Sequence, residues 1–335
     1  LNMGWGQSEC KAKRGFWMID LHCHSSESDG ELTPAALVAL AEARRLAAVA
    51  LTDHDTVSGI DEFLAAGRGR VVRTVPGIEV ACAGEGNAIL HVVGLWPDHR
   101  NGELLALLEG IRARRHQRNQ TMVERLRELG CPVELSEIED LAGGVVVGRP
   151  HFAQALIRRG YCRSHRDAFE RFLARGKPAY VRRELTPVEQ ALAILSRAGA
   201  VCIWAHPLMG NSVTGALLRR VVQRLRPLGL DGIEVYYTDY GATETRNARE
   251  HAQALGFLQS GGTDFHGVNI PGIDLGVGRG ALEVPDALLG PLEQRAREKA
   301  SAAGLRGPGP AGSCAGGCPI GALPPGGGQR LAPRG

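Results

Sequence analysis

Residues Met18-Ile19-Asp20-Leu21-His22-Cys23-His24 pass from an apolar run into two histidines one residue apart, and Asp29 follows five residues later. In an extended chain alternate side chains share a face, so His22 and His24 point one way and Cys23 the other. Two imidazoles on one face make a ready metal clamp, although a bare His-x-His also occurs where histidines are simply packed. The fold is decided by what surrounds this stretch. Met18–Leu21 reads as a buried strand, and Thr33-Pro34 then supplies an N-cap followed by proline at the first helical position. Apolar residues recur at helical spacing through Leu37, Leu40, Ala41 and Leu46.

The same alternation continues downstream. Ala48–Thr52, Val71–Val80 and Ala88–Leu95 read as strands, with a short helix after Gly59. Thr186-Pro187 repeats the cap-and-proline device before a helix to about Arg197. Val201–Ala205, Gly232–Tyr236 and Phe257–Gly261 are further strands, separated by helical patterns over Val213–Leu225 and Thr243–Leu255. Short apolar strands alternating with helices predict an α/β fold built on a parallel sheet or barrel.

Residues 98–185 break that rhythm: they are rich in arginine, helical over Leu104–Leu129 and Ala168–Leu173, and are read as an inserted, mainly helical subdomain. The barrel is then assigned to residues 18–97 and 186–304. Residues 1–17 lack periodicity and are expected to be a non-native or disordered extension, with Met18 the biological start. From Leu305 to Gly335, 16 of 31 residues are Gly or Pro, which predicts a disordered tail.

Composition narrows the function classes. At 335 residues with 44% hydrophobic and 22% charged residues, the chain can bury a sizeable core. No apolar run approaches the roughly 18 residues of a membrane span and no signal peptide is evident, so a cytoplasmic protein is expected. The eight cysteines stand mostly singly in apolar stretches and read as reduced core thiols. Net charge is +3, but residues 97–185 carry 17 Lys+Arg against 12 Asp+Glu, a basic insert in an acidic body. Such a field suits a negatively charged nucleotide or polynucleotide, although an arginine-rich helical face is often only solvated.

Chemistry-bearing residues gather at predicted strand ends. Thr52-Asp53-His54-Asp55 and Gly262-Thr263-Asp264-Phe265-His266 each follow an apolar strand, and Glu79, His91 and His206 stand at the ends of three others. Three consecutive ionisable groups after a buried strand are costly to desolvate unless paired or metal-bound. Nine candidate ligands (His22, His24, Asp29, His54, Glu79, His91, His206, Asp264, His266) suggest two or three divalent ions. Asp53 and Asp55 flank His54 and are expected to orient imidazoles from outside the metal shell. In the insert, Gly148-Arg149-Pro150-His151 offers Arg149 for a bidentate grip on phosphate with His151 beside it, unless the segment is merely a helix start. Tyr236, in a cluster with Tyr237 and Tyr240, is a candidate to stack on a base.

In order and spacing, Asp20-Leu21-His22-Cys23-His24, Ser28-Asp29-Gly30, Thr52-Asp53-His54-Asp55, Gly77-Ile78-Glu79, His91, Ala205-His206-Pro207 and Asp264-Phe265-His266 resemble the polymerase and histidinol phosphatase (PHP) superfamily. The pattern is most similar to its bacterial branch of 3′,5′-nucleoside bisphosphate phosphatases that also act as 5′→3′ exoribonucleases. The resemblance covers about residues 18–280. It implies a distorted (β/α)7 barrel with a helical insertion and a trinuclear centre at the C-terminal ends of the strands. It further implies one ion on His22, His24, Glu79 and Asp264, a second on His91 and His206 bridged by Glu79, and a third on Asp29, His54 and His266. A donor set of imidazole and carboxylate without thiolate suits Mn, Fe or Zn, and the hard oxygen of Asp29, where some relatives have histidine, favours Mn. Such a centre supplies a metal-bridging hydroxide near neutral pH, so no separate protein base is needed.

The resulting expectation is a metal-dependent phosphoesterase that removes the 3′-phosphate of 3′,5′-bisphosphonucleotides and degrades short RNA from the 5′ end. Alternatives are a histidinol-phosphate-type phosphatase, for which a basic lid is superfluous, and a non-catalytic metal- or nucleotide-binding module. Nothing in the sequence points to a protein partner.

Overall fold

The computed structural model describes residues 18–143, 146–209, 215–305 and 307. The expectations for residues 1–17, for the tail beyond residue 307 with Cys314 and Cys318, and for the first turn of the helix predicted from Val213 lie outside the described residues.

The barrel half begins with β1 (Ile19–Asp20), α1 (Pro34–Ala43), β2 (Ala48–Leu51), α2 (Ile60–Gly67), β3 (Arg73–Ala83) and β4 (Ile89–Leu95). α1 starts as its sequence directs: the Thr33 side chain accepts the Ala36 N–H and Pro34 occupies the first turn, where a missing N–H costs nothing. The insertion follows, with α3 (Gly102–Glu128), α4 (Leu135–Ala142), α5 (Arg149–Arg158) and α6 (His165–Ala168), the last running into a π-helical turn at Phe169–Leu173. The chain then returns through β5 (Thr186–Pro187), α7 (Val188–Arg197), β6 (Val201–Trp204), α8 (Gly215–Leu225), β7 (Leu230–Tyr237), α9 (Ala242–Leu255), β8 (Leu258–Gly262) and α10 (Leu289–Ala302).

Seven strands pair in the order β1-β2-β3-β4-β6-β7-β8. The ring closes between its ends, where Leu21 N–H donates to Gly261 O (3.0 Å), Asp264 N–H to His22 O (2.8 Å) and His24 N–H to Phe265 O (2.9 Å). The sheet is mixed rather than all-parallel as the sequence predicts. β4 runs antiparallel to both β3 and β6, because only a short turn at Glu85–Asn87, with Gly86 at φ 61°, separates it from β3. A parallel return needs a crossover, whereas a tight turn yields a hairpin. β4 therefore starts on the rim where the parallel strands end, and His91, its third residue, reaches the same place as residues that follow the other strands.

The second cap-and-proline expectation is also corrected. Thr186-Pro187 pairs in parallel with Cys82-Ala83, and the helix begins at Val188. A proline is tolerated there because a two-residue strand at the margin needs no N–H from it.

Inward residues such as Ile19, Ala48, Val75, Leu95, Val201 and Ile203 cluster with Leu289, Leu292 and Ala296 of α10, which plugs the end where the parallel strands begin. The insertion has a core of its own, built on Met122, Leu126, Ile138, Phe152, Leu156 and Leu173. α3 spans the two: its first half buries Leu104, Leu107, Leu108 and Ile111 against the barrel layer. No strand occurs among the described residues of 98–185. Five described cysteines are buried free thiols, and no described helix is long and apolar enough to cross a membrane.

Candidate metal centre

His22 and His24 emerge from β1 with both rings buried, at 1% and 0% exposure, while Cys23 turns into the apolar cluster of Leu37, Phe63 and Leu275. This is the alternation an extended chain imposes. β8 must pass very close to them. A Cβ on Gly262 would lie 2.4 Å from His22 N, so a side chain at that position would push the rim apart. Asp20 fixes the neighbouring loop by accepting from Thr263 N–H (2.9 Å), Thr263 Oγ1 (2.6 Å) and Gly276 N–H (2.9 Å). Asp55, His206 and Asp264 all adopt positive φ, at 55°, 33° and 56°. Non-glycine residues held there cost energy and are concentrated at functional sites.

All nine predicted ligands converge. Glu79, fully buried, stands at the centre: its Oε2 lies 2.8 Å from His54 Nδ1 and 3.4 Å from Nε2 of both His22 and His24. Its Oε1 lies 2.9 Å from His91 Nδ1 and 3.4 Å from His206 Nε2. Asp264 Oδ1 is 3.1 Å from His24 Nε2 and 3.5 Å from His22 Nε2. Asp29 Oδ1 is 3.2 Å from His266 Nε2, and its Oδ2 is 3.8 Å from His54 Nε2. Ligand atoms fall into three groups, each within 4.8 Å: His22, His24, Glu79, Asp264; Glu79, His91, His206; and His24, Asp29, His54, His266. His24 thus adjoins two groups.

These residues fit divalent ions. His22 Nε2, both His24 ring nitrogens, Glu79 Oε2, His91 Nδ1 and Asp264 Oδ1 are buried without a hydrogen-bond partner. Buried polar atoms are rarely left so, and here they crowd around one space. The charge balance of the metal-free cluster agrees. Burial disfavours the His54 imidazolium, yet the carboxylates of Glu79, Asp29 and Asp55 outweigh it and push His54 up to about 10. Burial together with the neighbouring positive charges of His54 and His266 lowers His24. Burial pushes Asp29 up, but the hydrogen bond from His266 and the charges of His54 and His24 hold it well below the usual carboxylate range.

Metal ligation requires neutral imidazole, so an ion held by His54 would displace the proton that Glu79, Asp29 and Asp55 favour on its ring. Titrating metal-free protein with Mn²⁺ in weak buffer is therefore expected to acidify the solution. Apparent affinity is expected to fall about tenfold per pH unit for each proton displaced as pH is lowered. Uptake that is independent of pH between 6 and 8 would speak against imidazole ligation.

The expected orienting role of Asp53 and Asp55 is not what the structure shows. Asp53 faces away from its neighbour His54, the chain turns through positive φ at Asp55, and both carboxylates are committed to other donors. Asp53 instead accepts from Ser25 N–H (2.7 Å), Ser25 Oγ (2.6 Å) and Ser28 Oγ (2.6 Å), holding the turn that carries Asp29. Asp55 Oδ2 accepts from Arg115 (2.6 Å) and Arg183 (2.5 Å), which ties the insertion to the rim.

Orientation of the His22 imidazole falls to Glu234, whose Oε1 is 3.2 Å from His22 Nδ1 and whose Oε2 accepts the backbone N–H of His206 at 2.8 Å. The only sequence signal for it was an acidic residue inside the apolar strand Ile233-Glu234-Val235. Partners of this kind set tautomer and basicity, and losing one costs typically 10–100-fold in metal affinity. Glu234→Gln is expected to weaken metal binding within that range while leaving the fold intact. Undiminished affinity in a metal-competition assay would remove Glu234 from this role.

Arg149 opens α5, with Gly148 as its cap and Pro150 next, so the segment is indeed a helix start. Its guanidinium also lies 5.6 Å from the ring centres of Phe169 and Tyr180 and lines a cleft of about 730 Å³ with Arg115, Arg118, Arg175 and Arg183. Burial and the charges of Arg149, Arg115 and Arg183 push Arg118 down to about 10, a measure of how closely the cations crowd. His151 Nδ1 accepts Gly148 N–H (3.1 Å), which places the proton of the neutral ring on Nε2.

The tyrosine at the metal site is Tyr237 rather than Tyr236. A shift in strand register between Glu234 and Tyr236 upsets the alternation. Tyr237 donates to Asp264 Oδ2 (3.1 Å) with its ring 5.1 Å from that of His206, while Tyr236 packs against the apolar clusters flanking β7.

The family model of the PHP domain matches residues 20–143. A 5′-3′ exoribonuclease of Haemophilus influenzae is 36% identical over 249 residues, 74% of this chain and 89% of that protein. The chain belongs to the PHP family. A 3′,5′-nucleoside bisphosphate phosphatase of Chromobacterium violaceum is 34% identical over 77% of this PHP chain and 90% of its own length. Among solved structures, a protein designated a metal-dependent phosphoesterase from Bifidobacterium adolescentis superposes with a TM-score of 0.70 at 27% identity, covering 83% of this chain and 96% of that one. A Chromobacterium violaceum protein designated an amidohydrolase, with bound sulfate and no metal, gives 0.69 at 32% identity over the same shares. The PHP relatives named for an activity on phosphate esters put this chain among phosphoester hydrolases.

Proposed function

We propose that this PHP protein removes the 3′-phosphate of 3′,5′-bisphosphonucleotides and shortens RNA from a 5′-phosphorylated end, with Mn as the working metal and the cytoplasm as its setting. The observation that carries the reading is the juxtaposition of the nine-residue cluster with the arginine-lined cleft, joined through Asp55, which follows the ligand His54 and accepts from Arg115 and Arg183. Divalent ions held by His22, His24, Asp29, His54, Glu79, His91, His206, Asp264 and His266 would supply an activated water and neutralise charge on the reacting phosphate.

The chain's own residues do the rest. Arg149 and Arg118 present planar donors to a second phosphate, the feature that separates a bisphosphonucleotide from a monoester. His151 adds an Nε2–H donor at the mouth of the same helix. Tyr237 holds Asp264 in one orientation through its hydroxyl. Bound sulfate in the Chromobacterium violaceum structure supports a tetrahedral dianion as ligand. Names of the relatives support nucleotide and RNA substrates.

Phosphate release from adenosine 3′,5′-bisphosphate and from histidinol phosphate, measured beside release of nucleoside 5′-monophosphate from 5′-phosphorylated oligoribonucleotides, tests the proposal. Turnover of the bisphosphate and the oligoribonucleotides and not of histidinol phosphate is expected. Preference for histidinol phosphate would favour the small-molecule reading, and metal binding without turnover of any substrate a non-catalytic module. Arg149→Ala is expected to raise KM for the bisphosphate about 10- to 100-fold, the loss of one charge-assisted phosphate contact, with metal content unchanged. Loss of metal in that variant would mean that Arg149 supports the centre instead.

A further inference from the structure

The cleft over the cluster is not the only concave surface at the rim. A groove of about 500 Å³ opens beside β7 and is lined by Tyr236, Tyr237, Tyr240, Arg246, Arg249 and Arg279. It shares a wall with the metal site, since Tyr237 lines it while donating to Asp264. Tyr240 is held rigidly there: its hydroxyl accepts Leu208 N–H at 2.7 Å, and its ring meets that of Tyr237 edge-on at 5.3 Å.

Charge distinguishes this groove from an ordinary surface furrow. Glu283 also lines the groove and Arg279 is paired with Asp239 (2.7 Å), but Arg246 and Arg249 are exposed on α9, and neither pairs with a carboxylate among the described residues. Aromatic platforms interleaved with unpaired cations are the elements that bind single-stranded nucleic acid without sequence preference. Position adds direction. The arginine cleft sits at the β3–β4 turn and this groove at the end of β7, well apart on the strand ring. A strand with its terminal phosphate in the cleft and its scissile bond over the cluster leaves the centre towards α9.

On the proposed reading that RNA is a substrate, we infer that this groove carries the nucleotides downstream of the scissile bond, with Tyr240 as a base platform and Arg246 and Arg249 on successive phosphates. A bisphosphonucleotide with one phosphate in the cleft and the other over the cluster has none left for Arg246 and Arg249. The groove therefore serves RNA and not the bisphosphonucleotide.

The test uses the full chain and the double variant Arg246→Gln, Arg249→Gln, assayed on adenosine 3′,5′-bisphosphate and on 5′-phosphorylated single-stranded RNA of two to ten nucleotides across a salt series. In the parent, KM is expected to fall with RNA length. In the variant, KM for the longest RNA is expected to rise about tenfold at low salt, and the slope of log KM against log salt to shrink by about 1.4, two phosphate contacts at roughly 0.7 each. Kinetics on the mononucleotide are expected to stay within twofold, which also shows that the variant is folded. A variant that keeps the parent's length dependence and salt slope overturns the groove assignment alone. A parent enzyme that turns over the bisphosphate but cleaves no RNA overturns the RNA reading, and the groove assignment with it.

Discussion

Glu79→Gln is expected to lower turnover by on the order of 10³ or more and to reduce bound metal. Glu79 approaches His54, His22 and His24 through one oxygen and His91 and His206 through the other. The glutamine is nearly isosteric but carries no charge, and its NH₂ group would point a donor at atoms that must also face cations. A carboxylate shared between two ions would contribute several kcal/mol of transition-state charge stabilisation, and each 1.36 kcal/mol is about tenfold in rate. The measurement pairs kcat with metal content by elemental analysis. A variant with normal metal content and turnover within tenfold of the parent would show that Glu79 does not bridge ions.

Asp55→Ala is expected to have the largest effect on stability. Asp55 is 3% exposed and gives one carboxylate oxygen to two arginines, Arg115 from α3 and Arg183 from the segment returning to the barrel. Removing one partner of a buried ion pair leaves the remaining charge uncompensated, at about 3–5 kcal/mol. Because the Arg183 side chain keeps 31% exposure, about 2–4 kcal/mol is expected here. The two arginines would then repel across an empty carboxylate position, so the insertion is expected to loosen before the barrel does. Chemical denaturation checks the magnitude, and hydrogen exchange in α4 and α5 checks the order. A midpoint equal to the parent's would mean that Asp55 is not the tie between insertion and barrel.

Much of the metal cluster was legible because its signals are local. The pairs His22/His24 and Asp264/His266 each lie within three residues beside apolar runs that read as strands; alternation brings His22 and His24 to one face, whereas Asp264 joins them through a positive φ that spacing does not announce. What escaped were contacts made between distant segments. Asp55 meets Arg115 and Arg183 across 60 and 128 residues, and no local pattern in the chain marks either arginine. Its short spacing to His54 suggested an imidazole partner, but the chain turns through positive φ at Asp55 and its carboxylate meets the two arginines instead. Glu234 left only the oddity of a carboxylate in an apolar strand, which demands a partner without naming it. The direction of β4 is a matter of connection length rather than composition, since a buried parallel strand and a buried antiparallel one carry the same residues. The bulge in β7 likewise has no composition of its own, and it brings Tyr237 rather than Tyr236 against Asp264.

On this proposal the nine side chains share divalent ions. Anomalous diffraction from crystals grown with Mn²⁺, collected on both sides of the Mn absorption edge, tests it most directly. Two or three peaks flanking the Glu79 carboxylate, bounded by His22, His91, His206 and His266, are the predicted result. An active protein whose Mn²⁺ peaks lay elsewhere, or that showed none, would contradict it.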